Sequence, residues 1–168
     1  MDYDEPMYIK VKQGVQDEKQ SIQESIKELC ESQTFAVLAT QGGGQPYTSL
    51  IGYVTSEDLK YVAFATPRET RKYSLLEGDN RVALMVDDRG QKPDSINHIS
   101  ALTITGKSRI LSDGEEIKKW SGLLTEKHPY LNNFLQASST AIVLVEVYRY
   151  FYVRRFQEVF EWIPNQPE

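Results

Sequence analysis

The sequence predicts a mainly β, α+β domain in which six or more antiparallel strands form a barrel with helices at its periphery. Apolar and β-branched segments recur along the chain, and the first loops between them are too short for parallel crossovers. Closing the sheet also removes the exposed edges that so many Val, Ile and Tyr residues would create. At 168 residues the chain is long enough for one such domain, and we assign residues 1–168 to it.

The predicted elements follow one another in a simple order. Residues 1–14 are polar and predict an arm, and helical spacing of apolar residues then predicts a helix over about 17–32. The glycine run in the segment QGGGQP separates two β-like segments and predicts a hairpin. Further strands are predicted in LKYVAFAT, RVALMVD, ISALTITGKSRIL, AIVLVEVYRYFYVRRF and EVFEWI, and a second helix carries Ile117, Trp120, Leu123 and Leu124.

Composition excludes several classes of function. The formal net charge of −5 argues against nucleic acid and anionic membranes as partners. No segment has the apolar length of a membrane span and the N-terminus has no hydrophobic secretory core, so we expect a cytoplasmic protein. The single cysteine, Cys30, excludes an internal disulfide, and we expect it to be buried in the first helix. With only His98 and His128 besides, we predict no metal site.

Three cations lie close together in the segment TPRETRK, although the protein as a whole is acidic. Thr66, with glutamate three residues later and proline between them, predicts a capping box and a helix over 67–77, which Gly78 ends in the left-handed conformation. A helix start suits an anion because its N–H groups are free and its dipole is positive there, and Arg71 and Lys72 add charge. From the charges alone, a phosphate site and a solvated helix face both remain open.

Three segments in this order resemble the pyridoxamine 5′-phosphate oxidase-like, FMN-binding split-barrel superfamily: FAVLATQGGGQPYTSLIGYV, AFATPRETRKYSLLEGDNRVALMVD and ALTITGKSRIL. The resemblance spans about residues 34–111. It implies a split barrel that forms a homodimer, with FMN in the groove between the two subunits. It also implies an oxidoreductase with a small-molecule redox substrate, in which the flavin supplies the redox chemistry and the protein orients it.

Carried over by position, the resemblance implies a cofactor-binding set in two parts. Arg71 and Lys72 would hold the FMN phosphate, with Thr66 and Thr70 adding hydroxyl contacts. The flavin ring would lie along a β-like segment that offers backbone polar groups to its pyrimidine edge, and Ala65 would line the same wall. The residues of that segment are Thr48, Ser49, Leu50 and Ile51.

The sequence also departs from the oxidases that act on vitamin B6. Those carry a Gln where Ala101 stands and end in an Arg-Leu-x-Pro-type motif, which this chain does not have, so we predict no vitamin B6 oxidation and name no catalytic residue. Haem and F420 are alternative ligands, because both occur among split barrels, and His98 is the possible haem ligand. A non-enzymatic flavin-binding or sensory module is the alternative role. The C-terminal aromatic residues, expected in the core or a dimer interface more often than in a ligand pocket, are Tyr148, Tyr150, Tyr152, Phe160 and Trp162.

Overall fold

The computed structural model describes residues 16–92, 94–156 and 158–164, with side chains from residue 21 onward. The predicted arm, residues 1–14, lies outside the described residues. Within these ranges the chain forms seven strands and four α-helices. The helices are α1 (Gln16–Ser32), α2 (Arg71–Gly78), α3 (Gly114–Lys127) and α4 (Asn132–Gln136). The strands are β1 (Phe35–Gly42), β2 (Gln45–Thr55), β3 (Tyr61–Pro67), β4 (Arg81–Asp87), β5 (Ala101–Ile110), β6 (Thr140–Arg154) and β7 (Glu158–Trp162).

Six strands close into an antiparallel barrel. Their order in the sheet is β3-β2-β1-β4-β5-β6, and β3 also pairs with β6, which closes the ring. Strand β7 is hydrogen-bonded to β6 and extends the sheet beyond the barrel. The mainly β architecture with peripheral helices is therefore confirmed. None of the described helices is long and apolar enough to cross a membrane.

The first hairpin has the turn that its glycines predict. Gly42 pairs with Gln45, so the loop contains only Gly43 and Gly44. Both loop residues have positive φ, 59° and 79° respectively. Two consecutive positive φ angles match the twist of the flanking strands and are readily adopted by glycine, which has no Cβ to clash.

The apolar residues form two clusters because β3 and β6 are covered on both faces. Inside the barrel, inward side chains such as Leu38, Phe64 and Val143 pack with the apolar face of α1. Outside it, Ile142 and Leu144 of β6 pack beneath α3 and α4. Alternate residues of β6 thus point into different clusters, which explains why this strand reads as a continuous apolar run.

The C-terminal aromatic residues belong mainly to the core. Tyr150 is fully buried, and its hydroxyl donates to the carbonyl oxygen of Leu59 at 2.6 Å. Tyr152 and Phe160 are buried as well. Cys30 is also buried, as expected, and burial raises the pKa of its thiol to about 12 by disfavouring the thiolate.

A bulge between β5 and β6 depends on Gly106. The register shifts between Thr105 and Gly106, and the two backbones approach so closely that a Cβ at Gly106 would overlap the carbonyl oxygen of Glu146. We predict that Gly106→Ala lowers the free energy of unfolding by about 1–3 kcal/mol or more, because backbone atoms must move apart. Chemical denaturation measures the change.

Gly122→Ala is the matched control. Gly122 lies in α3 with open space around the position of a Cβ. The same substitution there should stabilise the protein by about 0.5–1 kcal/mol, because alanine is the better helix former. Equal effects at the two positions would contradict the role given to Gly106.

Candidate functional site

The helix that carries the cations begins four residues later than the sequence predicts. Pro67 is still part of β3, where it pairs with Thr140 of β6, and the N–H of Arg68 donates to the carbonyl oxygen of Ser139 at 2.8 Å. The N-cap of α2 is Thr70, whose hydroxyl oxygen accepts from the N–H of Tyr73 at 3.2 Å. The predicted capping box at Thr66 is therefore wrong, because pairing with β6 keeps the segment extended.

The predicted end of this helix is also wrong in one respect. Gly78 is the last residue of α2, but the positive-φ glycines in the described part of the chain are Gly43 and Gly44. The C-cap residue is Asp79. Its backbone is extended, and its N–H donates to the carbonyl oxygen of Leu75. The C-terminal end is thus closed without a left-handed residue.

The later start places both cations in the first turn of α2. Arg71 is its first residue, Lys72 its second, and no acidic residue lies in that turn. Positive charge at a helix N-terminus is unfavourable, because the free N–H groups already give this end a positive partial charge. The local arrangement is therefore one that an anion would stabilise.

Neither cation has an acidic partner among the described residues. The ion pairs in this part of the chain all involve other residues. Lys72 is partly buried, and desolvation lowers the pKa of its ammonium group. The Arg71 guanidinium lies 5.2 Å from the centroid of the Tyr47 ring, which holds it beside β2. Arg68 is turned towards α2, where it donates to the hydroxyl of Tyr73 at 3.1 Å.

The two threonines of the set are in contact with each other. Thr66 is fully buried, and its Oγ1 lies 3.1 Å from Oγ1 of Thr70. The Thr70 hydroxyl can also donate to the carbonyl oxygen of Pro67 at 2.9 Å. Thr70 therefore joins the end of β3 to the start of α2, and Thr66, Thr70, Arg71 and Lys72 all lie at this junction.

Strand β2 has an open edge beside this junction. Its pairing with β3 covers only Tyr53↔Phe64 to Thr55↔Val62, whereas its pairing with β1 runs along residues 45–52. Along that stretch no described strand pairs with the β3 side of β2. The barrel is thus split between the first half of β2 and the β3–α2 junction, and the contact of Arg71 with Tyr47 spans the opening.

The four predicted residues of β2 alternate between the two sides of the strand. Ile51 is buried in the barrel core, so it can offer a ligand only its backbone groups. Ser49 faces the same side, and its Oγ is buried without a hydrogen-bond partner. Thr48 and Leu50 face outward, and Leu50 is 67% exposed. An unpaired buried hydroxyl and an exposed leucine on one open strand are unusual, and both suit a bound ligand.

Ala65 lies on the outward face of β3. Its side chain packs against the cluster beneath α3 and α4, on the opposite side of the strand from Thr66. Tyr47 is the site residue that sequence reasoning missed. It lies two residues before Ser49 on the same strand face. The alternation of side chains along β2 is therefore the sequence signal that could have identified it.

The two histidines lie in different surroundings. His128 follows α3 and is fully buried, and its Nε2 lies 2.9 Å from the carbonyl oxygen of Tyr53. His98 is exposed at the end of a short 3₁₀ turn. Of the two, only His98 is accessible to a ligand.

A search with family models finds one match, to the model described as pyridoxamine 5′-phosphate oxidase, over residues 22–156. The chain belongs to this family. Membership alone does not imply vitamin B6 oxidation. Ala101, where the resemblance leads us to expect the Gln of those oxidases, is the first residue of β5. No curated protein matches the sequence significantly.

Solved structures similar to this family member share its fold at low sequence identity. Campylobacter jejuni ChuZ superposes with a TM-score of 0.75 at 13% identity, over 86% of this chain and 60% of that chain. The heme binding protein from Mycobacterium smegmatis gives 0.72 at 14%, over 81% and 55%. A FAD-binding protein from Mesorhizobium loti gives 0.61 at 14%, over 76% and 90%. The chain thus spans less than two thirds of the first two proteins.

The cap at Thr70 can be tested apart from any ligand. We predict that Thr70→Ala lowers the free energy of unfolding by about 1 kcal/mol, because an N–H at the start of α2 loses its acceptor. Thr70→Ser keeps the hydroxyl and should retain most of the stability. Thermal or denaturant unfolding of both variants measures this, and equal losses would show that the methyl group, not the cap, matters.

Proposed function

We propose that this protein binds FMN in the opening between β2 and the β3–α2 junction, and that it is an FMN-dependent oxidoreductase with a small-molecule substrate. The observation that carries the proposal is the pair Arg71 and Lys72, which lies in the first turn of a helix without an acidic partner. A partly buried lysine next to free helix N–H groups is stabilised by a bound anion.

The residues at the junction fit a phosphate group. The Arg71 guanidinium can donate two hydrogen bonds to phosphate oxygens, and the Lys72 ammonium adds a compact charge. The first N–H groups of α2 face the same end of the helix. Thr66 and Thr70 supply hydroxyl groups beside them, although Thr70 is also engaged as the N-cap.

The open part of β2 fits the rest of the cofactor. Its edge leaves backbone N–H and C=O groups available to a polar ring edge. Leu50 offers exposed apolar surface to a ring face, and Ser49 Oγ is a buried polar atom that requires a partner. When bound, FMN supplies hydride or electron transfer, and the residues of this chain bind and orient it.

The phosphate contacts give a direct test. FMN carries a phosphate that riboflavin does not, so Arg71→Ala and Lys72→Ala should each weaken FMN binding by about 10- to 100-fold and leave riboflavin binding nearly unchanged. Titration calorimetry or flavin fluorescence measures both affinities. Lys118→Ala, at an exposed position of α3, is the control and should change neither.

Equal losses for FMN and riboflavin would mean that the two residues act through folding. The visible spectrum of the freshly isolated protein tests the wider proposal. Flavin absorbance supports it, whereas a colourless protein with no measurable affinity for added FMN would defeat it. Tight FMN binding without flavin reduction by any nicotinamide donor would favour a sensory or carrier module.

We also propose that the protein is a homodimer. The outward faces of β1, β2 and β4 carry the exposed side chains of Phe35, Leu50 and Met85. Val37 lies between Leu50 and Met85 in register, so these residues form a continuous apolar patch on one face of the sheet. A second copy of the chain would cover this patch and give the flavin a second wall.

The patch makes the dimer testable. We expect light scattering of the wild type to give twice the mass of the chain, and Phe35→Glu to shift the protein towards the monomer, because a buried carboxylate opposes association. Ile96→Glu is the control: Ile96 is 59% exposed, compared with 48% for Phe35, but lies in a 3₁₀ turn and not on β1, β2 or β4. A wild type that remains monomeric would contradict the proposal.

A haem-handling role is the second candidate, because two structural neighbours are named as a heme binding protein and a heme storage protein. An axial histidine would have to be His98, since His128 is buried and hydrogen-bonded. A Soret band in the isolated protein would favour haem, and preferential binding of F420 would favour a deazaflavin. We keep the cytoplasm as the proposed compartment, because the single cysteine allows no internal disulfide.

A further inference from the structure

A second cavity lies on the outer face of the sheet, where β1, β4 and β5 run side by side. Its volume is about 430 Å³, within the range of small-molecule sites. The floor consists of small side chains from three neighbouring strands, since Ala39 pairs with Ala83 and Ala83 pairs with Thr105. A floor of this kind is low and even, and a flat molecule can lie on it.

The wall of this cavity depends on the bulge between β5 and β6. Gly106 permits the close approach of the two strands, and Tyr148 is the extra residue that the register shift leaves opposite it. The bulge thereby directs Tyr148 to the outer side of the sheet, where its ring lines the cavity.

The cavity is cationic although the protein is acidic. Lys107 lines it, with its ammonium 5.7 Å from the centroid of the Tyr148 ring. The ion pairs among the described residues do not include Lys107. Arg81 lines it as well and forms an ion pair with Asp79 at 2.6 Å. None of the described lining residues is acidic. An anion is therefore the charge type that this cavity favours.

The other large groove has the opposite character. It lies between α1, α3 and the turn after β2, and its lining mixes lysines with the carboxylates of Glu31, Glu57, Asp58 and Glu126. Lys127 in that groove donates to the carbonyl oxygen of Cys30 at 2.8 Å and packs on Tyr53, so it holds α1 to the barrel. Of these two sites, the cavity over β4 and β5 is the one that combines cations, an aromatic wall and a floor of small residues.

We propose that this cavity binds a small aromatic carboxylate. The aromatic ring lies over Ala83 and Thr105 beside the Tyr148 ring, and the carboxylate pairs with the Lys107 ammonium. Aromatic stacking and one charge-assisted hydrogen bond then act on opposite ends of the same molecule. The cavity adjoins the apolar patch that we assign to the dimer, since Ala39 and Ala83 lie two residues from Val37 and Met85 on the same sheet face. Arg71 and Lys72 do not line it, so the proposal does not rest on the FMN phosphate site.

The experiment uses the purified protein in its own oligomeric state and 2-naphthoate as the probe, with 2-naphthylmethanol as the neutral control. Titrations followed by NMR of ¹³C-alanine methyl groups report binding and location together. We expect shifts at the Ala39 and Ala83 methyl groups on adding naphthoate, and about tenfold weaker binding of naphthylmethanol.

Variants separate charge from shape. Lys107→Gln removes the charge and should weaken naphthoate binding about tenfold, whereas Lys118→Gln on α3 should leave it unchanged. Ala83→Leu fills the floor, keeps both cations, and should abolish binding. Circular dichroism checks that each variant is folded.

Three outcomes would overturn the proposal: no binding at millimolar naphthoate, equal binding of the neutral alcohol, or shifts confined to alanines away from β1 and β4. Competitive displacement of naphthoate from the wild type by FMN would also overturn it, because the probe would then occupy the flavin site. Failure of the wild type to bind FMN affects only the proposed flavin function.

Discussion

The antiparallel pairing of β3 with β6 is the constraint on which the fold and the candidate site both depend. It runs from Tyr61↔Glu146 to Pro67↔Thr140 and closes the barrel. Because it keeps the chain extended through Pro67, the helix cannot begin until Thr70. Arg71 and Lys72 therefore lie in the first turn of α2, beside free N–H groups, and not in its second turn, where those groups would be used.

Several features of the junction are unfavourable in the isolated chain. Two cations share a helix N-terminus, Lys72 loses hydration without gaining a partner, and Ser49 Oγ is buried without a hydrogen bond. Each of these costs free energy by itself, and all three lie on the elements that border the opening between β2 and the β3–α2 junction. Local violations of folding rules that coincide in space are typical of functional sites, because a ligand can satisfy them together.

Most of the fold could be predicted from the sequence, because its strands have strong and distinct patterns. The glycines of the first hairpin, the alternation of Leu102 and Ile104, and the apolar run of β6 each define one element locally. The start of α2 could not be predicted in this way. The segment at Thr66 satisfies the local rules for a capping box, and a tertiary contact with residues 139–140, distant in sequence, overrides them.

The candidate site also combines features that follow from the local sequence with features that depend on tertiary contacts. Its residues Thr66, Thr70, Arg71 and Lys72 are close in sequence, so their proximity follows from any structure of the segment. The sequence alone does not show which residues of β2 face the core and which face outward. Both Leu50 and Ile51 are apolar, and only the sheet register shows that one is exposed and the other is core. Tyr47 and the bulge at Gly106 likewise depend on which strands lie side by side.

The difference between backbone pairing, which defines the fold, and side-chain contacts, which select a ligand, also explains how one barrel can serve different ligands. Structural neighbours at 13–14% identity superpose on most of this chain, and two of them are named for different ligands, heme and FAD. The strand pairings that define the fold use backbone atoms, which almost any sequence supplies. In the site that we propose for this chain, ligand choice would rest instead on a few side chains at the open edge of β2 and the start of α2. In this chain those side chains present two cations without acidic partners and one exposed leucine, which is the reason that we propose a flat molecule with an anionic end as the ligand.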